Sequence, residues 1–182
     1  MTELSLHILD IAQNSIRAKA SLIEIVITEK PDEDRYEISI SDDGPGMDEQ
    51  SLNRAENPFF TSRKTRKVGL GIPLLKHSAE QSGGSLEISS EKGHGVRLNA
   101  CFGFHHVDRP VLGDMAGALL ILMTNENQTE IRYTHRSPGG AYTFDTREVK
   151  LILEGTNPAE PEIRSFLHEM ICENLEQIQI SE

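Results

Sequence analysis

The chain has 182 residues, 37% of them hydrophobic and 5% aromatic with no tryptophan, which is room for one domain of ordinary size and a modest extension. Lys+Arg 18 against Asp+Glu 29 leave a formal net charge of -11, which argues against a chain that coats nucleic acid or an anionic membrane. Two cysteines, Cys101 and Cys172, make no disulfide framework or zinc spacing, no signal peptide opens the chain, and the longest apolar run, Ala118 to Met123, is far short of the roughly 20 residues of a membrane span. The expected setting is a reducing cytoplasm.

Residues 3–18 read as a helix, because Leu4, Ile8, Ile11 and Leu9, Ala12, Ile16 recur at three- and four-residue spacings. Ile23, Ile25 and Ile27 alternate with their neighbours, as do residues 36–41, which predicts two strands turning at Pro31 to Asp34. A glycine-containing loop, 42–47, follows. Residues 48–68 show no sustained period and carry a basic knot at Arg63, Lys64, Arg66 and Lys67, as a functional lid does. Gly69 and Gly71 lead into a helix with Pro73 in its first turn and Gly83-Gly84 as its stop. Strands are predicted at 85–89 and 96–102 around a turn at Gly93-His94-Gly95.

Beyond Phe104 the pattern changes. Asp114 is placed to cap a helix reaching Met123, and 128–135 with 141–144 form a hairpin around Pro138-Gly139-Gly140. Asp145 with Glu148 opens another helix, and Glu162 to Ile178 reads as amphipathic through Ile163, Phe166, Leu167, Met170, Ile171, Leu175 and Ile178. The chain therefore divides into an α/β body, 1–104, and a small α+β extension, 105–182, of unassigned role.

Four patterns in the body carry chemistry. Asp10 and Asn14 lie four apart and share a helix face with His7 and Arg17, pairing a carboxylate able to orient or deprotonate a water with an amide oxygen suited to Mg²⁺. Asp42-Asp43-Gly44-Pro45-Gly46-Met47 follows a strand: an acid there can accept from the exocyclic amine of a base, beside backbone that glycine keeps bare. Val68 to Pro73 opens a helix whose free N–H groups and positive dipole end suit phosphate; the run is neither a dinucleotide fingerprint nor a Walker A motif. Asn57 to Arg63 sets Phe59 and Phe60 beside Thr61 and a cation, Arg63 or Lys64, able to meet a terminal phosphate.

In this order the patterns resemble the GHKL, or Bergerat-fold, ATPases over roughly residues 3–102. Asp10 to Ala18 resembles the N box, Asp42 to Met47 the G1 box and Gly69 to Ile72 the G2 box; the run from Pro58 through Gly95 is most similar to histidine-kinase catalytic domains. The resemblance implies a two-layer α/β (α+β) sandwich, with a mixed sheet carrying helices on one face. It implies ATP and Mg²⁺ as cofactors. Asn14 would ligand the metal, Asp42 would contact adenine, and Gly44, Gly46 and Met47 would shape the purine pocket. Gly69, Leu70, Gly71 and Ile72 would cradle phosphates with support from Lys76, while Phe59, Phe60, Thr61 and Arg63 would belong to the lid. Asp10 would be the base or water-orienting group.

The chain departs from the pattern in three places: Asp10 stands where hydrolytic relatives have the longer Glu, Arg63 where kinases often have Lys, and Val96 where Thr is common. The N box opens this sequence with no phosphoacceptor hairpin ahead of it, so the expected acceptor is a separate protein or the extension. His105, His106, His135 and His168 read as ordinary packing or surface residues. Phosphotransfer to a separate protein is the leading expectation. An ATP-driven conformational switch and a non-catalytic, nucleotide-dependent anti-regulator remain open. The partner is then a protein phosphoacceptor or regulator, with no nucleic acid and no membrane, and a homodimer through the C-terminal helix stays open.

Overall fold

The computed structural model describes residues 3–55 and 71–179. Helix α1 (Leu4–Arg17) buries Leu4, Ile8, Ile11, Ala12 and Ile16 along one stripe and stops where Lys19 turns to φ 61°. Strand β1 (Leu22–Lys30) and strand β2 (Arg35–Asp42) form an antiparallel pair with Ile25 opposite Ile40 and Ile23 opposite Asp42. Alternation puts Ile23, Ile25 and Ile27 on the covered face together with Tyr36, Ile38 and Ile40.

Residues 48–55 differ from the aperiodic expectation. Asp48 accepts from the Ser51 amide at 2.7 Å and starts a seven-residue helix, α2 (Glu49–Ala55). A helix of two turns is too short to show a period, so its capping acid is the only sequence trace it leaves.

Helix α3 (Gly71–Gln81) buries Leu75 and Ala79. Strands β3 (Ser85–Ser90) and β4 (Val96–Gly103) then join the sheet beside β2, with Leu98 opposite Ile40. Helix α4 (Met115–Met123) is capped by Asp114, whose Oδ1 accepts from the Gly117 amide at 2.8 Å. It buries seven of its residues because it packs against α1 and a later helix while lying on the sheet. Strands β5 (Glu130–Ser137) and β6 (Gly140–Asp145) form a hairpin around Pro138-Gly139; α5 (Thr146–Ile152) and α6 (Pro161–Ile178) complete the chain.

The six strands run in the order β3-β4-β2-β1-β5-β6, with β1 and β5 parallel and the other neighbours antiparallel. The molecule is thus α+β, a mixed sheet carrying helices on its apolar face. The other face presents Glu24, Ser39, Asn99 and Arg132, with Glu24 and Arg132 paired at 3.5 Å. Strand β5 pairs with β1 from Leu22 to Thr28, so residues beyond 104 enter the same sheet as those before it. Each Ile or Leu fully buried in this core contributes roughly 1.5–3 kcal/mol relative to an exposed one.

In α6, Leu167, Ile171, Leu175 and Ile178 are buried, whereas Phe166 is 62% exposed. Phe166 lies one residue, about 100°, off the buried line, outside the strip that contacts the sheet.

Candidate functional site

The C-terminal end of β2 is where the pieces meet. Two adjacent acids stand there, and their partners divide them. Asp43 Oδ1 accepts from the Ser21 and Leu22 amides at 2.7 and 2.9 Å, which ties the end of β2 to the start of β1. Asp42 Oδ2 accepts from the Ser15 hydroxyl at 2.6 Å and its Oδ1 accepts from the Gly44 amide at 2.9 Å. A carboxylate offers about four lone-pair directions, so two protein donors orient Asp42 and leave capacity for a ligand's N–H.

Ser15 and Asn14 are neighbours on α1 but point about 100° apart: Ser15 is buried toward Asp42, and Asn14 is exposed. Arg17, one turn on, donates to Asn14 Oδ1. An amide oxygen has two lone-pair directions, and the guanidinium occupies one of them. Asp10, half-buried, is one turn before Asn14 on the same face.

Gly71, the first residue of α3, meets Asp10 directly: a Cβ there would stand 2.2 Å from Asp10 Oδ2. The close approach lets the acid lie against the start of a helix whose N–H groups favour anions. Ile72 follows, half-buried against the core, and Lys76 lies half-buried one turn later on α3.

Gly44 is buried, and the loop beyond it runs over the β3–β4 turn. Gly46 has φ +66°, and a Cβ on it would come within 2.0 Å of the Glu91 carbonyl oxygen, so only glycine fits. Met47 donates its amide to the Ser90 hydroxyl at 2.8 Å.

The structure therefore unites Asp10 with Gly71 and Ile72, and Asp42 with Gly44, Gly46 and Met47, with α1 carrying Asn14 between the two groups. Phe59, Phe60, Thr61, Arg63, Gly69 and Leu70 lie outside the described residues. Ser15, Arg17 as a partner of Asn14, and Ser90 were not singled out from sequence. Ser15 and Ser90 act through contacts across the fold that no spacing encodes, whereas Arg17 meets Asn14 across one helical turn.

His7, expected on the polar face of α1, is instead buried one turn before Asp10, and the four histidines of the later segments lie away from the site. His135 is buried between Tyr133 and Glu29, His168 faces Asp114 at 3.1 Å, His105 reaches the Pro31 carbonyl at 3.3 Å, and His106 lies 3.9 Å from Asp108.

The residues fit the implied ligands. Among the described residues no group of three or more His, Cys, Asp or Glu is arranged to hold a metal. Mg²⁺ on a nucleotide needs none, since it takes one or two protein oxygens and completes its shell with phosphate and water. Asn14 offers such an oxygen, with Asp10 one turn away.

Residues 2–106, more than half of the chain, match the family described as histidine kinase-, DNA gyrase B-, and HSP90-like ATPase. Curated relatives include sporulation kinase E of Bacillus subtilis, 35% identical over 89 residues, and the sensor histidine kinase ZraS of Escherichia coli (strain K12), 30% identical over 88. Each match covers 48% of this chain but only 12% and 19% of those proteins. The C4-dicarboxylate transport sensor protein DctB of Pseudomonas aeruginosa is 31% identical over 96 residues, covering 51% of this chain and 16% of its own. In fold, the chain is similar to the N-terminal domain of a DNA repair protein, with a TM-score of 0.51 and 15% identity over 80% of this chain and 52% of that one. With the order of its boxes, the placing of Asp42 and Asn14 and the match over 2–106 in agreement, the chain belongs to the histidine kinase-, DNA gyrase B- and HSP90-like ATPase family, which implies that it binds ATP.

Proposed function

We propose that this chain binds ATP with Mg²⁺ and passes the γ-phosphoryl group to a separate protein. The observation that carries the reading is the meeting of Asp10 with the first turn of α3, beside Asn14, in a chain whose curated relatives are named as kinases and sensors. Asp42, oriented by Ser15 and Gly44, accepts from the exocyclic amine of adenine and disfavours the oxo group that guanine presents there. Asn14 Oδ1 would hold the metal, which when bound would supply charge neutralisation to the phosphates. The amides opening α3 face the phosphates.

Asp10 is the remaining acid within reach of that position. It accepts a hydrogen bond from the attacking group of the incoming protein, keeps that group's lone pair aimed at phosphorus, and takes its proton as the new bond forms. The P–O bond to the β-phosphate breaks, ADP leaves, and the new bond is to the acceptor. Among the described residues no helix is long and apolar enough to cross a membrane.

Incubation with γ-labelled ATP and Mg²⁺, with and without lysate of the source cell, tests the reading. Label on a lysate protein supports it, and an Asp10→Asn variant should lose at least ten-fold in labelling rate while still binding ATP. Label released only as free phosphate, or full labelling by Asp10→Asn, overturns phosphotransfer or the role of Asp10 respectively.

A further inference from the structure

Between Asp42 and α2, residues 43–47 are tied to the molecule at their entrance, middle and exit. At the entrance, Asp43 is stapled to Ser21 and Leu22. At the exit, the tie comes from Ser90, the last residue of β3, an edge strand that is otherwise remote in sequence. Its hydroxyl accepts from the Met47 amide at 2.8 Å and donates to the Gly95 carbonyl at 2.7 Å. Between these points the Gly93 amide donates to the Pro45 carbonyl at 2.7 Å.

The two backbones touch along this whole stretch. Gly46 lies on Glu91, and a Cβ on Gly95 would stand 1.8 Å from the Asp42 carbonyl oxygen. Contact this close leaves no room for side chains between the loop and the turn. One hydroxyl at the rim, using both its donor and its acceptor, therefore joins the exit of the loop to the turn beneath it.

We infer that Ser90 is a positioning residue of the nucleotide site: it clasps the 42–47 loop to the β3–β4 turn and holds the adenine-facing backbone in its binding shape. The inference rests on the adenine-nucleotide reading of Asp42. A loop already in its bound shape loses less conformational freedom when ligand arrives, so removing the clasp weakens binding without touching the ligand. Because the clasp acts at the base end, ATP and ADP should be affected alike. A serine that only capped the β3–β4 turn would keep its bond to Gly95 and leave both affinities where they are.

The test compares wild type, Ser90→Ala and Ser90→Thr by calorimetric titration with ATP and with ADP, alongside amide exchange at Met47. Expected for Ser90→Ala is a five- to ten-fold weaker Kd for both nucleotides and faster exchange at the Met47 amide. Ser90→Thr keeps the hydroxyl and should restore both, which separates a lost tie from a damaged fold. Wild-type affinity in Ser90→Ala, or Ser90→Thr behaving like Ser90→Ala, overturns the clasp while the nucleotide reading stands. A wild-type chain that binds neither nucleotide overturns both.

Discussion

The sheet has a polar group at each end of its covered face, and the two are finished differently. At the end where β1 leaves and β2 enters, Glu29 Oε1 lies 2.8 Å from His135 Nε2, and the Tyr133 hydroxyl lies 2.9 Å from His135 Nδ1. A carboxylate only accepts, so His135 donates from Nε2 to Glu29, and in that tautomer Nδ1 accepts a hydrogen bond from the Tyr133 hydroxyl. Tyr36 is walled in beside them, its buried hydroxyl without a hydrogen-bond partner among the described residues and the Arg109 guanidinium 4.7 Å above its ring. Burial, reinforced by neighbouring Glu29, pushes both Tyr36 and Tyr133 well above the usual phenol range. At the opposite end Asp42 and Asn14 have partners too, but those partners orient them and leave oxygen exposed to a ligand. Acids and hydroxyls serve at both ends. The Glu29–His135–Tyr133 chain is closed by its own members, whereas the oxygens at the Asp42 end keep capacity for a ligand.

That contrast can be broken at either end. The largest effect is expected at the closed chain: His135→Ala leaves a half-buried carboxylate and a buried phenol facing a void and should cost about 3 kcal/mol of stability. In a chain of this size that is a fall in Tm of roughly 6–12 °C, readable by calorimetry. ATP affinity should be unchanged, because the network lies six residues along β1 from the Ile23–Asp42 pair. A loss of affinity matching the loss of stability would mean that the two ends act as one unit.

At the open end, Asp42→Asn should leave the fold in place, since the amide can still accept from Ser15. It replaces an acceptor by a donor where the adenine amine arrives. A ten- to hundred-fold weaker Kd for ATP is expected, about 1.4–2.7 kcal/mol, with GTP weakened less. Wild type binding ATP and GTP equally would remove the adenine assignment.

The smallest effect lies outside both ends. Arg147 donates Nε to Asp145 Oδ1 at 2.9 Å and Nη2 to Oδ2 at 2.6 Å, which holds the Asp145 carboxyl below the usual carboxylate range. A depressed folded-state pKa makes the contribution complete above the unfolded value near pH 4, and it is lost as pH falls through the folded one. Urea midpoints for wild type and Asp145→Asn should therefore differ above about pH 5 and converge as pH falls toward 2. Half of the Arg147 side chain is exposed, so added salt should shrink the difference.

Much of this was legible from the chain alone, wherever the signal was local. Apolar spacing placed α1, glycine and proline punctuation placed α3, alternation placed β1 and β2, the Gly93-His94-Gly95 turn marked β3 and β4, and Asp114 and Asp145 announced the helices that they cap. The order Asp10–Asn14, Asp42–Met47, Gly69–Ile72 pointed to the family, because each box is a short run whose geometry its own residues impose. The tertiary structure decided the rest. Which of Asp42 and Asp43 is the anchor depends on strand β1, and Ser15 meets Asp42 across 27 residues, as Ser90 meets Met47 across 43. His135 becomes structural only because the parallel pairing of β5 with β1 brings it to Glu29. A periodicity records which face of an element is apolar. It carries no record of which elements lie side by side, and that adjacency chooses the partners of every polar side chain.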